Sequence, residues 1–166
     1  MARNISPEVA GFVHFIDALN LGFAKSYFGE VPEGFATPSI YYPPPERESL
    51  PFSTGSYQVE YALYIKVFDK DSLSSDYLAE QITDAIMTAG RKIPTYDASG
   101  VKDGHWFHVN ECSARNIETG VTQIYITYKV QRGYYEEPVT PARVIHYAGL
   151  PTNVEEDSQN EQQTEE

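Results

Sequence analysis

The chain has 166 residues, a length typical of one domain, with 41% hydrophobic residues and a formal net charge of -12. This acidic balance argues against a nucleic acid or an anionic membrane as the main partner, because both attract a positively charged surface. No segment approaches the ~20 consecutive apolar residues of a membrane span, and the N-terminus lacks an apolar run of signal-peptide length. We therefore expect a soluble protein that is made and used inside a cell.

A first helix is predicted to begin at Ser6. Serine is a preferred N-cap residue, and Pro7 suits the first helical position. Apolar side chains then recur at helical spacing from Val9 to Leu19. The pattern predicts one amphipathic helix that ends near residues 20–22.

The segment 23–56 is rich in proline. It holds six of the 11 prolines of the chain, so regular structure there should be short. Residues 27–31 and 39–42 are predicted to form short strands, and the second should stop at the run of three prolines that follows it.

The strongest strand pattern runs from Tyr57 to Phe68. Every odd residue from 57 to 67 is apolar or aromatic, whereas the even positions mix polar residues with Ala62, Tyr64 and Phe68. The alternation predicts a sheet with one buried face and one half-buried face. Two helices can cover only the first face of a monomer, so the aromatic residues on the second face indicate a partner surface.

A second helix is predicted from Ser75 to Ala89. Ser75 and Asp76 form its expected cap, Gly90 is its expected C-terminal glycine, and an apolar stripe lines one side. This stripe consists of Leu78, Ile82, Ala85, Ile86 and Ala89. We expect Ile82 and Ile86 to pack on the sheet.

The rest of the domain is predicted to be a loop and a hairpin. Residues 93–103 carry proline and glycine and should form the loop, and the strands 105–117 and 121–132 should be joined by a short turn that contains glycine. These elements together predict an α+β domain, with a mostly antiparallel sheet of about four to five strands and two helices packed on one face.

An acidic segment ends the chain. Six acidic residues follow Arg143, the last basic residue, and no apolar periodicity occurs from Thr152 onward. Such a segment offers too little apolar surface to offset the entropy of ordering. We expect a single domain over residues 1–151 and a disordered acidic tail over residues 152–166.

The sequence shows no constellation of residues that is typical of catalysis or of metal binding. His105 and His108 point to opposite faces of the predicted strand, so they cannot share a metal ion. Cys112 is the only cysteine, and a half-buried structural thiol is the simplest interpretation. Since no phosphate-binding loop or nucleophile elbow is present either, we predict that the protein is not an enzyme and needs no cofactor.

The element order resembles that of the tail terminator (tail completion) proteins of tailed bacteriophages. The resemblance covers roughly residues 8–132, and it rests on the short strand 38–42, the alternating strand 57–68, the capped helix 75–89 and the late strand 121–130. In that family a small α+β subunit forms a ring, commonly a hexamer, which caps the finished tail tube and joins it to the head.

The resemblance implies a virion structural protein of the tail or neck, assembled in the host cytoplasm. Its partners would be further copies of itself, the tail tube protein and head-neck proteins, without sequence-specific nucleic-acid binding and without a membrane. For such a subunit, the candidate interface residues are Tyr64, Phe68, Tyr125, Tyr134 and Tyr135. These side chains have a large apolar surface, which is typical of interfaces.

Two other functions remain open at this point. The first is another neck or head-tail connector component of a virion, which only its position in the particle would distinguish. The second is a small-ligand or peptide-binding module that uses an aromatic groove. That module predicts a monomer with a deep pocket rather than a ring-forming contact.

Overall fold

A computed structural model describes residues 6–96 and 99–134. In chain order these residues form α1 (Pro7–Asp17), β1 (Lys25–Phe28), β2 (Ser39–Tyr42), β3 (Glu46–Ser53), β4 (Ser56–Phe68), α2 (Ser72–Thr88), β5 (Lys92–Tyr96), β6 (Lys102–Glu118) and β7 (Val121–Gly133). The predicted tail at residues 152–166 lies outside the described residues.

The predicted sheet of four to five mostly antiparallel strands is wrong. The structure has a seven-stranded sheet in the order β1-β2-β4-β7-β6-β5, and β3 pairs with β4 as well. The sheet is mixed because β1 and β2 run parallel, whereas the other paired strands are antiparallel. Strands account for far more of the described residues than the two helices do, so the domain is mainly β.

The sequence pattern missed β3 and β5 because pairing, not local propensity, forms them. β3 is exposed along its whole length and contains Pro51, so it shows no alternation of buried and exposed residues. β5 contains Pro94 and lies in the segment that was predicted to be a loop. Both strands lie at an edge of the sheet, where proline is tolerated, and each is held by hydrogen bonds to its neighbour.

β4 has the predicted buried face. Its odd residues from Val59 to Val67 are buried, and most of its even residues are only half-buried. In the register of the sheet, Leu63 lies opposite Ile126 of β7. Ile82 and Ile86 of α2 are fully buried in the same core cluster, as predicted.

α1 begins where the sequence predicted. Ser6 is the N-cap, and its side-chain oxygen accepts a hydrogen bond from the Val9 N–H at 3.3 Å. The Phe12 ring lies 5.2 Å from the ring of Phe107 and 5.6 Å from that of Tyr128. These contacts place α1 on the buried face of the sheet.

α2 begins one turn earlier than predicted, and its N-cap is Asp71 rather than Ser75. The Ser75 hydroxyl is instead buried and forms a hydrogen bond of 3.0 Å with the Thr122 hydroxyl of β7. Asp71 Oδ1 accepts from the Ser74 N–H at 2.8 Å, and Oδ2 accepts from the Ser74 hydroxyl at 2.9 Å. These hydrogen bonds lower the pKa of the Asp71 carboxyl.

We expect Asp71→Ala to lower the melting temperature near neutral pH. A carboxyl whose folded-state pKa is depressed stabilises the fold above its unfolded pKa, and it loses that contribution as pH falls through the folded pKa. The difference from the native chain should therefore shrink below about pH 4. Thermal melts followed by circular dichroism between about pH 3 and pH 7 would measure it. Asp71→Asn keeps a capping oxygen and should be milder, and a deficit that does not vary with pH would contradict this account.

The β6–β7 turn is anchored to the link between β4 and α2. The Asp69 N–H donates to the Gly120 carbonyl at 2.9 Å, and the Gly120 N–H donates to the Ser72 hydroxyl at 3.2 Å. Gly120 has φ +75°, and a Cβ at this position would collide with the Asp69 carbonyl oxygen. Glycine is therefore required at this turn.

Candidate functional site

The side of the sheet that faces away from both helices carries the candidate interface. We call it the outer face, and it consists of the even residues of β4 and the odd residues of β7. Tyr64 and Tyr125 lie directly opposite each other there, with ring centroids 5.2 Å apart at an interplanar angle of 35°. Both side chains are half-buried. The structure thus brings together two of the predicted interface residues.

The hydroxyl of Tyr64 lies in an unfavourable environment for ionisation. Its pKa is raised by partial desolvation first, and then by the nearby Glu46 carboxylate and the Tyr125 hydroxyl. Tyr64 offers a neutral hydroxyl together with an apolar ring, a combination that is common at protein interfaces.

A row of basic residues lies beside the tyrosine pair. Lys66 of β4 is opposite Gln123 of β7, and Gln123 is opposite Arg115 of β6. Because residues two apart on a strand share a face, this row and the tyrosine pair are on the outer face together. Neither Lys66 nor Arg115 forms a salt bridge with any described residue. We call Lys66 and Arg115 the basic row.

A charged hollow of about 580 Å³ borders the tyrosine pair on the outer face. Tyr125 lines it, together with the acids Glu46, Glu48, Glu60 and Glu111 and the bases Arg47 and Lys129. Glu60 forms a salt bridge with Lys129 across β4 and β7. A drug-sized ligand pocket is usually lined mainly by apolar side chains, so this charged lining is not typical of one.

Phe68 differs from the other predicted interface residues because its own chain covers it. The ring is only 8% exposed, and the Phe35 ring lies 4.6 Å from it. A second hollow, of about 370 Å³, borders this pair. The expectation that only a partner could bury Phe68 is therefore wrong, and the reason is that the segment between β1 and β2 folds back over this end of β4.

Tyr134 lies apart from the tyrosine pair. Its ring is 45% exposed and lies 5.4 Å from the ring of Tyr57, at the opposite end of β4 from Phe68. Seven residues of strand, or about 23 Å, separate Tyr57 from Tyr64. Tyr135 lies outside the described residues. The structure therefore does not bring Tyr134 together with Tyr64 and Tyr125.

Some buried polar groups of the domain have structural partners, whereas the hydroxyls of Ser39, Tyr42 and Tyr128 form no hydrogen bond with a described residue. Arg132 donates to Tyr61 at 3.0 Å and to the buried Glu8 carboxylate at 3.4 Å, which ties β7 to the first turn of α1. Burial raises the pKa of Tyr128, with Glu8 as the next cause. Burial also raises the pKa of the Cys112 thiol to about 11, so the thiolate is disfavoured at neutral pH.

Sequence reasoning missed two features that a binding surface would use. The basic row arises from the register of three strands, and no local pattern reveals that register. The second feature is the exposed side of α2, where Leu73, Tyr77 and Met87 recur at helical spacing and are 84%, 60% and 48% exposed. The helical spacing itself was a signal that could have been read from the sequence.

The described residues contain no group of three or more His, Cys, Asp or Glu side chains that is placed to hold a metal ion. Neither of the helices described here is long and apolar enough to cross a membrane.

Comparison with known proteins identifies relatives of the chain. No protein-family model matches it. The phage-like element PBSX protein XkdJ of Bacillus subtilis (strain 168) is 30% identical over 115 residues, which are 69% of this chain and 78% of the relative. The chain belongs to the XkdJ family.

Two further similarities accompany the XkdJ match. The uncharacterized protein YqbJ of Bacillus subtilis (strain 168) is 30% identical over 101 residues, which are 61% of this chain and 66% of the relative. A solved structure titled as the virion of a native gene transfer agent particle contains a chain with 15% identity and a TM-score of 0.40, over 80% of this chain and 87% of that chain. That structural likeness is too distant to support a functional conclusion.

Membership of the XkdJ family agrees with the bacteriophage character of the resemblance in element order. The matched length corresponds to most of the XkdJ protein, so the relationship concerns the domain as a whole rather than one motif.

Proposed function

We propose that this XkdJ-family chain is a virion structural protein, and that it acts as a tail terminator. Six copies of the chain form a ring. This hexamer caps the tail tube and joins it to the head-neck proteins. The single observation that carries this proposal is the outer face, because the paired rings of Tyr64 and Tyr125 and the basic row lie on a sheet face that neither helix covers. The name of the XkdJ relative, which assigns it to a phage-like element, supports a role in a phage particle.

A ring subunit needs contact surfaces on two different sides, since each copy must bind one neighbour on either side. The outer face provides the first surface, with two half-buried tyrosines at its centre. Aromatic residues and arginine are enriched in protein interfaces, and Tyr64, Tyr125 and Arg115 fit this composition.

The proposed role is performed by surfaces rather than by catalysis. The Cys112 thiol, with its raised pKa, is a poor nucleophile at neutral pH. The charged hollow on the outer face is better suited to polar contacts with a protein neighbour than to an apolar ligand.

Antibody labelling of purified particles tests the position of the protein. Gold-labelled antibody against this chain should bind at the head-proximal end of the tail. Label elsewhere in the neck would instead favour a connector component, and its absence from particles would contradict a virion role. As the matched control, particles from a strain lacking the gene should bind no label, and we expect their tails to be unjoined to heads.

A further inference from the structure

The side of α2 that faces away from the sheet forms a continuous stripe. Ala79, Ile82 and Ile86 face the core, and the opposite side of the helix is exposed. The residues on that side recur at helical spacing: Leu73, Tyr77, Glu80, Asp84 and Met87. We call these five residues the α2 stripe. A helix that binds in a groove presents apolar anchors along one side at helical spacing, and Leu73, Tyr77 and Met87 are placed in this way.

The charge of the α2 stripe is entirely negative. α2 contains Asp76, Glu80 and Asp84 but no lysine or arginine. None of the three carboxylates forms a salt bridge with a described residue. A partner for this stripe should therefore supply basic residues together with apolar or aromatic surface.

The outer face offers that chemistry on the opposite side of the same molecule. Lys66 and Arg115 are basic residues without a salt bridge to the described residues, and the Tyr64–Tyr125 pair lies in the adjacent row. Two complementary surfaces on opposite sides of a subunit make a head-to-tail contact, which gives a ring when the rotation between successive copies closes and an open filament when it does not.

The spacing of the charges also matches. Lys66 and Arg115 are two strands apart, which is about 10 Å. Asp76 and Asp84 are two helical turns apart, which is about 12 Å along the axis. A helix that crosses the strands along the basic row would place its carboxylates near both cations, with Tyr77 of the stripe beside the tyrosine pair.

We propose that the α2 stripe of one copy docks on the outer face of a second copy, with its acids and the adjacent Asp76 (Asp76, Glu80 and Asp84) against the basic row and Tyr77 against Tyr64 and Tyr125. This inference rests on the proposed ring function and names the two surfaces of the contact. The second copy is the chosen partner because its surface complements the stripe in charge, in charge spacing and in aromatic content.

Charge reversal tests the contact in the full-length chain. Glu80→Lys with Asp84→Lys reverses the stripe, and Lys66→Glu with Arg115→Glu reverses the basic row. Each pair of substitutions should raise the dissociation constant of self-association about tenfold or more. Light scattering and sedimentation over a range of concentrations would measure it. Joining all four substitutions in one chain restores complementarity and the original net charge, so it should restore association.

A matched control changes the charge elsewhere. Asp17→Lys with Glu30→Lys changes the net charge by the same amount as Glu80→Lys with Asp84→Lys, at two exposed positions outside both surfaces. This control should leave association unchanged. Circular dichroism verifies the fold of every variant. Should a reversal variant unfold, Leu73→Ser with Met87→Ser on the exposed side of α2 tests the stripe without reversing a charge, and it should also weaken association.

Two failures are distinguishable. If the native chain assembles and the stripe variants assemble equally well, the docking surface is wrong while the ring proposal stands. If the native chain is a monomer at every concentration, both self-assembly and the docking contact are overturned. A third outcome concerns the chain with all four substitutions. If each pair of substitutions weakens association but the four together do not restore it, a direct contact between the two surfaces is contradicted.

Discussion

Ile86→Ala should lower the free energy of unfolding by about 2–5 kcal/mol. Ile86 is fully buried in the core cluster that also contains Ile82, Leu63 and Ile126. Truncation removes buried methyl groups and leaves a cavity, because α2 is held in place on either side of this residue by its own backbone hydrogen bonds. Chemical denaturation of the purified chain, followed by circular dichroism, would measure the change.

Thr88→Ala is the matched control for Ile86→Ala. Thr88 is the last residue of α2 and is exposed. Replacing it should change stability by no more than about 0.5 kcal/mol. A cost below about 1 kcal/mol for Ile86→Ala would mean that this side of α2 does not pack on the sheet, and the assignment of the inner face would be wrong.

Exchanging Tyr64 and Tyr125 together for threonine should leave a folded chain that associates far more weakly. The two rings contact each other on the outer face but lie outside the core cluster. Threonine is favourable in strands, and a cross-strand pair contributes only about 0.2–1 kcal/mol to folding, so the fold should persist. Removing aromatic residues from an interface often costs about 2 kcal/mol or more each. Paired circular dichroism and light scattering would separate folding from association.

Tyr96→Thr is the control for the aromatic exchange. Tyr96 stacks on His14 of α1, with ring centroids 4.2 Å apart, and it lies away from the tyrosine pair. This variant should lose some stability and keep its association. If the Tyr64 and Tyr125 variant unfolds, the two rings belong to the core; if it folds and associates like the native chain, they do not lie in the interface.

Local patterning predicted the elements whose hydrophobic spacing is strong. The sequence shows three such elements: the capped first turn of α1, the alternation in β4 and the buried stripe of α2. Each of them depends only on residues that are close together in the chain. Tyr64 and Tyr125 were placed on the outer face for the same reason, since the period of a strand assigns each side chain to a face.

Tertiary structure decided the features that depend on distant residues. β3 and β5 became strands through pairing with β4 and β6, although their prolines argued against it. Phe68 was buried by Phe35 from a segment that no periodicity describes. Asp71, not Ser75, is the N-cap because the helix begins at Ser72. Ser75 therefore lies inside the helix, where its hydroxyl forms a hydrogen bond with Thr122 of β7.

The surfaces of the proposed ring divide in the same way. The apolar and acidic stripe of α2 follows from the helical repeat alone, and the residues that compose it can be read from the sequence. The basic row exists only because the register of β4, β7 and β6 places Lys66, Gln123 and Arg115 side by side. Along the chain, Gln123 lies 57 positions from Lys66 and Arg115 lies 49 positions from it. Periodicity assigns a side chain to a face, whereas its neighbours on that face are determined by strand order and register, which non-local hydrogen bonds and core packing select.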